Sequence, residues 1–381
     1  MIFLTYNDLP SGIFSGQVTD VCGFLNKKLG AQIRLVSLVS VRKYFTSRRK
    51  IRSDFPNAIV LPMFPVPRNW KLNKMILFFV FLFSGRQSVI ARGPFAALLA
   101  MGFKRNKMVD RVCFDARGAY DAEFREYDVA ADIKLNEEIF SVEKNAVLNA
   151  DFRIAVSSQL VGYWKTKFGY DRKDHVVIPC TLNSLYFERH KTQQEREALR
   201  TSLGYSSGDV VFVYSGSSAG WQSLKLIDDF LCNLLGSLGN AKALLLVKDV
   251  SESMAVLKKF PERTAVKWVS EAEVADFLNC SDYGLLIRER SVTNSVASPV
   301  KFAEYLAAGL KVIISSGLGD YSDFVLTHDC GYLAGSFDVK NIQRPAPNEK
   351  ERIAGIARDL FLKEKYTREY EIMYNHIRTH K

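Results

Sequence analysis

Short apolar runs alternate with stretches of helical periodicity along this chain, and the alternation occurs twice with a break between. No other feature constrains the fold as much, because this is the pattern of parallel sheets whose successive strands are joined by crossover helices. In the first half, the runs at residues 2–5, 33–37, 58–61, 89–91, 112–114 and 152–156 predict strands. Between the first two, Val18, Val21, Cys22, Leu25 and Leu29 recur at helical spacing, so residues 15–29 predict a helix that follows a Gly-rich turn. After the apolar run 176–178, Pro179-Cys180-Thr181-Leu182-Asn183 leads into a charged stretch from His190 to Arg200, and a linker is expected over residues 181–189. The pattern then resumes with strands at 210–214, 243–247, 266–269, 283–287 and 312–315 and helices at 224–235, 271–278 and 300–308.

At 381 residues the chain exceeds one typical core. The expectation is therefore an α/β protein of two doubly wound, Rossmann-like domains facing an interdomain cleft. The first spans 1–183 and the second 184–350. A charged helix at 351–381 follows, with Ile353, Ile356, Ala357, Leu360 and Phe361 on one face, and is expected to pack back on the first domain.

Charge is distributed unevenly. The net formal charge is +11, yet residues 1–107 carry 17 Lys or Arg against only three acids, Asp8, Asp20 and Asp54. A one-sided excess of that size attracts an anionic partner, whether lipid headgroups, nucleic acid or an acidic substrate. Arg48, Arg49, Lys50 and Arg52 form one cluster, and Lys71 and Lys74 precede the apolar run Met75 to Phe83. Cations beside aromatic surface suit docking on anionic lipid, although the same run would serve as the core side of a buried helix. It is too short to span a bilayer, and residues 1–6 lack the basic start of a secretory leader. The expectation is a cytoplasmic chain, peripheral on the inner face of the plasma membrane. No zinc-finger or RNA-binding signature accompanies the charge, so nucleic acid is not the expected partner. Six scattered cysteines and five histidines (His175, His190, His328, His376, His380) suggest neither a metal site nor a Ser-His-Asp set.

The most informative segment runs Ser298-Pro299-Val300-Lys301-Phe302-Ala303-Glu304-Tyr305-Leu306-Ala307-Ala308-Gly309-Leu310-Lys311-Val312-Ile313. Ser298 is expected to cap a helix, Pro299 to sit in its first turn and Gly309 to end it. Such a helix start offers free N–H groups to a phosphate, with Lys301 as an added cation. Glu304, one turn on, could accept from ribose hydroxyls. A capped amphipathic helix with solvated Lys301 and Glu304 fits the same residues.

This segment resembles the P-x-K-x-x-E-Y-L-A-x-G-x-x-V-I helix of the retaining family-four glycosyltransferases (GT-B fold) of bacterial polysaccharide and lipopolysaccharide synthesis. Other segments agree in order: Ser11 to Gly16 with the N-terminal Gly-rich turn, Asp115-Ala116-Arg117-Gly118 with a D-x-R-G segment, residues 149–157 with an "A-D-x-x-x-x-V-S" strand, and Val213 to Ser217 with the first strand and loop of the second domain. The resemblance implies transfer, with retention, from a nucleoside diphosphate sugar to a glycan or lipid-linked acceptor, without an obligatory metal or other cofactor. By that resemblance Gly16, Gly216, Ser217, Ser298, Pro299, Lys301 and Glu304 would bind the donor. Arg288 and Lys248, each following a strand, are further candidate cations. Arg92, Asp115 and Arg117 are candidates for contact with acceptor or diphosphate, or else form a structural ion pair. The chain departs from the pattern at Val296, where a second Glu is usual. It departs again at Ser217 and Trp221-Gln222-Ser223, where an Arg and a Lys-Gly are usual. A sugar-nucleotide epimerase, an inverting transferase and a non-enzymatic polyanion binder remain as alternatives.

Overall fold

The computed structural model describes residues 1–65, 67–128, 133–188, 191–217, 219–248, 254–336 and 338–378. His190, His380 and the end of the expected linker at Arg189 lie outside them. The chain divides into two compact units, one of residues 1–179 with 366–381 and one of residues 180–365. The division falls at Pro179/Cys180, before the expected boundary at 183/184, and residues 351–365 stay with the second unit.

The first unit is built on seven strands: β1 (Ile2–Tyr6), β2 (Arg34–Ser40), β3 (Ile59–Met63), β4 (Gln87–Arg92), β5 (Val109–Asp115), β6 (Phe152–Ala155) and β7 (His175–Val177). They pair in the order β3-β2-β1-β4-β5-β6-β7, all in parallel, with Ile2 opposite both Arg34 and Val89. Strands covered on both faces must be apolar throughout, and Phe3, Leu4, Leu35 and Val36 are accordingly almost fully buried. The expected helix 15–29 is a π-turn, Ser15–Thr19, running into Asp20–Leu29. Its Val21 and Leu25 join Tyr370 and Met373 in one cluster with Phe3, Leu35 and Ile90. Tyr370 and Met373 belong to the last helix, Thr367–Ile377. The tail is thus two helices, Pro347–Phe361 in the second unit and Thr367–Ile377 in the first.

The second unit holds β8 (Val210–Ser215), β9 (Ala241–Leu246), β10 (Thr264–Lys267), β11 (Tyr283–Leu286), β12 (Lys311–Ile314) and β13 (Gly331–Leu333). Their order is β10-β9-β8-β11-β12-β13, again parallel. On one face, helix Leu224–Ser237 buries Ile227, Leu231, Leu234 and Leu235 at helical spacing. On the other, helix Val300–Ala307 and Pro347–Phe361 pack Phe302, Leu306, Ile353 and Phe361 together. Each fully buried Leu or Ile contributes roughly 1.5–3 kcal/mol, so both faces matter to the fold.

In each unit the strand order reverses direction between the first and fourth strands, β1/β4 and β8/β11. Ligands of open α/β sheets bind outside the carboxyl ends of the strands at such a switch point.

Candidate functional site

At the switch point of the second unit, β8 ends in Ser215 and passes to Gly216, while β11 leads through Ile287 to Arg288. Helix Val300–Ala307 is fastened to both strands through Tyr305. The Tyr305 hydroxyl accepts the Ser215 N–H at 3.0 Å and donates to the Leu285 carbonyl at 3.4 Å. The ring lies where a side chain at position 284 would stand, since a Cβ on Gly284 would come within 2.3 Å of it. Glycine in mid-strand thus admits the tyrosine, and the tyrosine sets the helix height.

The helix delivers Lys301 into the switch point. The Lys301 side chain is buried, with its Nζ 4.3 Å from the centre of the Tyr214 ring and 2.6 Å from Gln222 Oε1. Gly216 is opposite: a Cβ there would stand 2.3 Å from the Lys301 Nζ. Arg288 is also buried, donating from Nη2 to Gln222 Oε1 at 3.2 Å and from Nη1 to Asn294 Oδ1 at 3.2 Å. Burial, and then the neighbouring Arg288, pull the Lys301 pKa well below its ordinary value, and Glu304 opposes this. Two cations converge where a phosphate would find low dielectric and fixed donors.

The helix begins differently from expectation. Pro299 is its N-cap and no side chain caps it. Ser298 serves elsewhere, accepting the Cys180 N–H at 2.9 Å and sharing a hydrogen bond of 2.7 Å with the Tyr321 hydroxyl. Proline has no N–H, and its extended ψ of 124° turns the serine away from the helix start. The first amides of the helix are therefore left uncapped by side chains. Glu304 is half-buried on the second turn. Ser217 is exposed beside Gly216, and Lys248 and Arg290 are exposed outside the cluster.

The switch point of the first unit gathers Asp8, Arg92, Asp115 and Arg117. Arg92 lies 3.4 Å from Asp8 and 3.5 Å from Asp115, and Arg117 is 3.2 Å from Asp115. Gln17 accepts from Arg117 at 2.8 Å. Gly93 takes a φ of +80°, and a Cβ there would be 3.2 Å from the Tyr120 hydroxyl. Only Asp8 opens substantially to solvent, 34% exposed against 8% for Arg92 and 5% for Asp115. Its carboxyl still sits among protein atoms, and desolvation raises its pKa although Arg92 opposes this. Gly16 lies in the π-turn with open space before its Cα. Among the described residues no His, Cys, Asp or Glu group could hold a metal ion, and all six cysteines are free thiols.

The basic and apolar segments are also placed. Arg49, Lys50 and Arg52 are exposed and Arg48 is half-buried on helix Tyr44–Asp54. Lys50 pairs with Asp54 at 3.3 Å, and Lys71 with Glu138 at 2.9 Å. In helix Asn73–Ser84 only Leu77 and Phe81 of the apolar run are buried. Met75, Phe78, Phe79, Leu82 and Phe83 are exposed, Phe83 at 83%. The run is therefore core on one stripe only, because two inward residues suffice to hold a helix against the sheet. No helix among the described residues is long and apolar enough to cross a membrane.

No protein-family model matches the chain, and no curated protein matches it in sequence. Solved structures do resemble it over nearly its whole length. The sucrose-phosphate synthase of Thermosynechococcus elongatus has a TM-score of 0.70 at 12% identity, covering 98% of each chain. A glycosyltransferase of Rickettsia africae has a TM-score of 0.69 at 14% identity, covering 100% of this chain and 99% of that one. Anabaena HepE, solved with UDP, has a TM-score of 0.67 at 13% identity, covering 98% and 97%. At such identities the likeness establishes the architecture: two Rossmann-like α/β units in tandem, the GT-B fold.

Proposed function

We propose that the chain is a glycosyltransferase that moves a sugar from a nucleoside diphosphate donor to a glycan or lipid-linked acceptor in bacterial cell-surface polysaccharide synthesis. The observation that carries this reading is the convergence of buried Lys301 and Arg288 beside Gly216 at the second unit's switch point. A departing diphosphate needs positive charge, and these cations supply it with the helix start of Val300–Ala307 behind them. Glu304, one turn on, would hold the ribose. The UDP seen with HepE and the helix pattern shared with family-four enzymes favour the same ligand class. On this reading the sugar is transferred with retention. The leaving phosphate oxygen takes the acceptor's proton on the face it departs from, and no side-chain base is required.

A second reading is favoured by Asp8, an accessible carboxylate with a raised pKa at the first unit's switch point. Placed against an acceptor hydroxyl it would act as general base for an inverting transfer. The anomeric configuration of the product, read by NMR, separates the two.

The exposed apolar stripe of helix Asn73–Ser84, together with the basic helix Tyr44–Asp54, supports a peripheral seat on an anionic membrane. Such a seat would bring the protein to a lipid-linked acceptor. The donor assignment is tested by thermal-shift screening against UDP-, GDP-, ADP- and dTDP-sugars, followed by calorimetry on Glu304→Ala. Weakened nucleotide binding with an intact fold is expected, and unchanged affinity would remove Glu304 from the site.

A further inference from the structure

Gln222 closes the short turn Gly220–Gln222 and is buried. Its single amide oxygen takes two cationic donors, Lys301 Nζ at 2.6 Å and Arg288 Nη2 at 3.2 Å, while the Tyr214 hydroxyl beside it is directed to the Ser217 carbonyl at 3.1 Å. Such convergence identifies the atom as oxygen rather than nitrogen. A neutral amide dipole thus stands where two cationic groups meet, and Lys301 makes no salt bridge among the described residues. Arrangements of this kind are poor neutralisers: an ionised acceptor at the same point would add the attraction of opposite charges to each bond. The Lys301 ammonium meanwhile fills the space above Gly216, which would otherwise admit a ligand to the backbone. The site is occupied by the protein's own groups.

We propose that Gln222 is an internal stand-in for a phosphate oxygen, a positioning residue that holds Lys301 and Arg288 together until a diphosphate displaces it. The inference rests on the donor reading above. It adds that residue 222 sets the balance between the stability of the empty fold and its affinity for the anion. A neutral stand-in is strong enough to keep two buried cations from repelling one another. It is also weak enough to yield to a doubly charged ligand. A carboxylate at this position would neutralise the cations permanently, whereas a methyl group would take from Lys301 and Arg288 the acceptor they share.

The test compares wild type, Gln222→Glu and Gln222→Ala in calorimetry with inorganic pyrophosphate, alongside thermal unfolding and UDP, ADP and GDP. Gln222→Glu should raise the melting temperature and weaken pyrophosphate binding about tenfold or more. Gln222→Ala should lower the melting temperature yet bind pyrophosphate at least as tightly as wild type. Opposite movements of stability and affinity are the signature, since a residue of merely structural importance would lower both. Pyrophosphate binding to Gln222→Glu at wild-type strength overturns the proposal, as does failure of wild type to bind pyrophosphate. If the pattern holds while no nucleoside diphosphate binds better than pyrophosphate, the stand-in role survives and the sugar-donor reading fails.

Discussion

Glu143 lies in helix Ile133–Asn149 with none of its surface exposed, and its Oε2 accepts the Asp121 N–H at 2.7 Å. Asp121 lies in the first turn of helix Tyr120–Tyr127, whose N-cap makes no side-chain hydrogen bond, so a neighbouring helix provides one. Burial pushes the Glu143 pKa from 4.5 up to about 8, opposed by the Asp121 amide and reinforced by the nearby carboxylates of Asp121 and Glu123. The folded state therefore holds a proton that the unfolded chain gives up near pH 4.5. Stability is fully present below that pH and is lost as pH rises through about 8. At about 1.4 kcal/mol per pH unit the whole interval is worth about 5 kcal/mol, and water penetration would reduce it to about 2–4. Glu143→Gln keeps the size and the acceptor but cannot ionise. Denaturant unfolding of both proteins from pH 5 to 9 should show little difference at pH 5, an advantage for the variant that grows steadily up to about pH 8, and a constant difference beyond. Glu123, itself pushed to about 7 by burial, titrates in both and largely cancels. Two parallel curves would refute the reasoning. The consequence reaches the site, since Tyr120 at the start of the capped helix faces Gly93 beside Arg92.

The other expectations are more direct. Phe79→Ser with Phe83→Ser should weaken sedimentation with anionic vesicles at least about tenfold without lowering the melting temperature, since a fully buried Phe contributes roughly 1.5–3 kcal/mol and both are exposed here; unaltered sedimentation would count against this face. Gly284→Ala places a methyl 2.3 Å from the Tyr305 ring and should cost about 1–3 kcal/mol while weakening nucleotide binding, as calorimetry would read. Asp282 is fully buried between Arg200 at 2.9 Å and Lys350 at 3.1 Å. These cations hold its pKa below the usual carboxylate value despite burial. Asp282→Asn should therefore destabilise by about 3–5 kcal/mol, and the stability that wild type loses as acid protonates this carboxylate should be missing from the variant's pH profile.

The strands were legible because doubly covered parallel strands are continuous apolar runs, as in Val210–Ser215, where every residue is buried. β13 escaped notice, for Gly331-Tyr332-Leu333 is short and sits at the sheet edge. Within the site, Lys301 and Gly216 were readable from their segments. Gln222 was not: its partner Lys301 is 79 residues away, and a neutral amide carries no chemical signal of its own. Asp8 was likewise recognisable only once β1 and β4 lay side by side. The local capping rule misplaced Ser298 because Cys180, 118 residues away, claims its hydroxyl. The run Met75–Phe83 was ambiguous in principle, as an all-apolar helix does not declare which stripe a sheet will cover.

Helix Thr367–Ile377 completes the core of a unit whose first strand begins at residue 2. During synthesis on the ribosome, then, the two halves mature in reverse order. Residues 180–365 are contiguous and can close as soon as they emerge, whereas the earlier half must wait, with Phe3, Leu35 and Ile90 incompletely covered, until Thr367–Ile377 has emerged as well. A released chain truncated after Lys365 should accordingly present a protease-resistant later half beside an earlier half that chaperones still recognise.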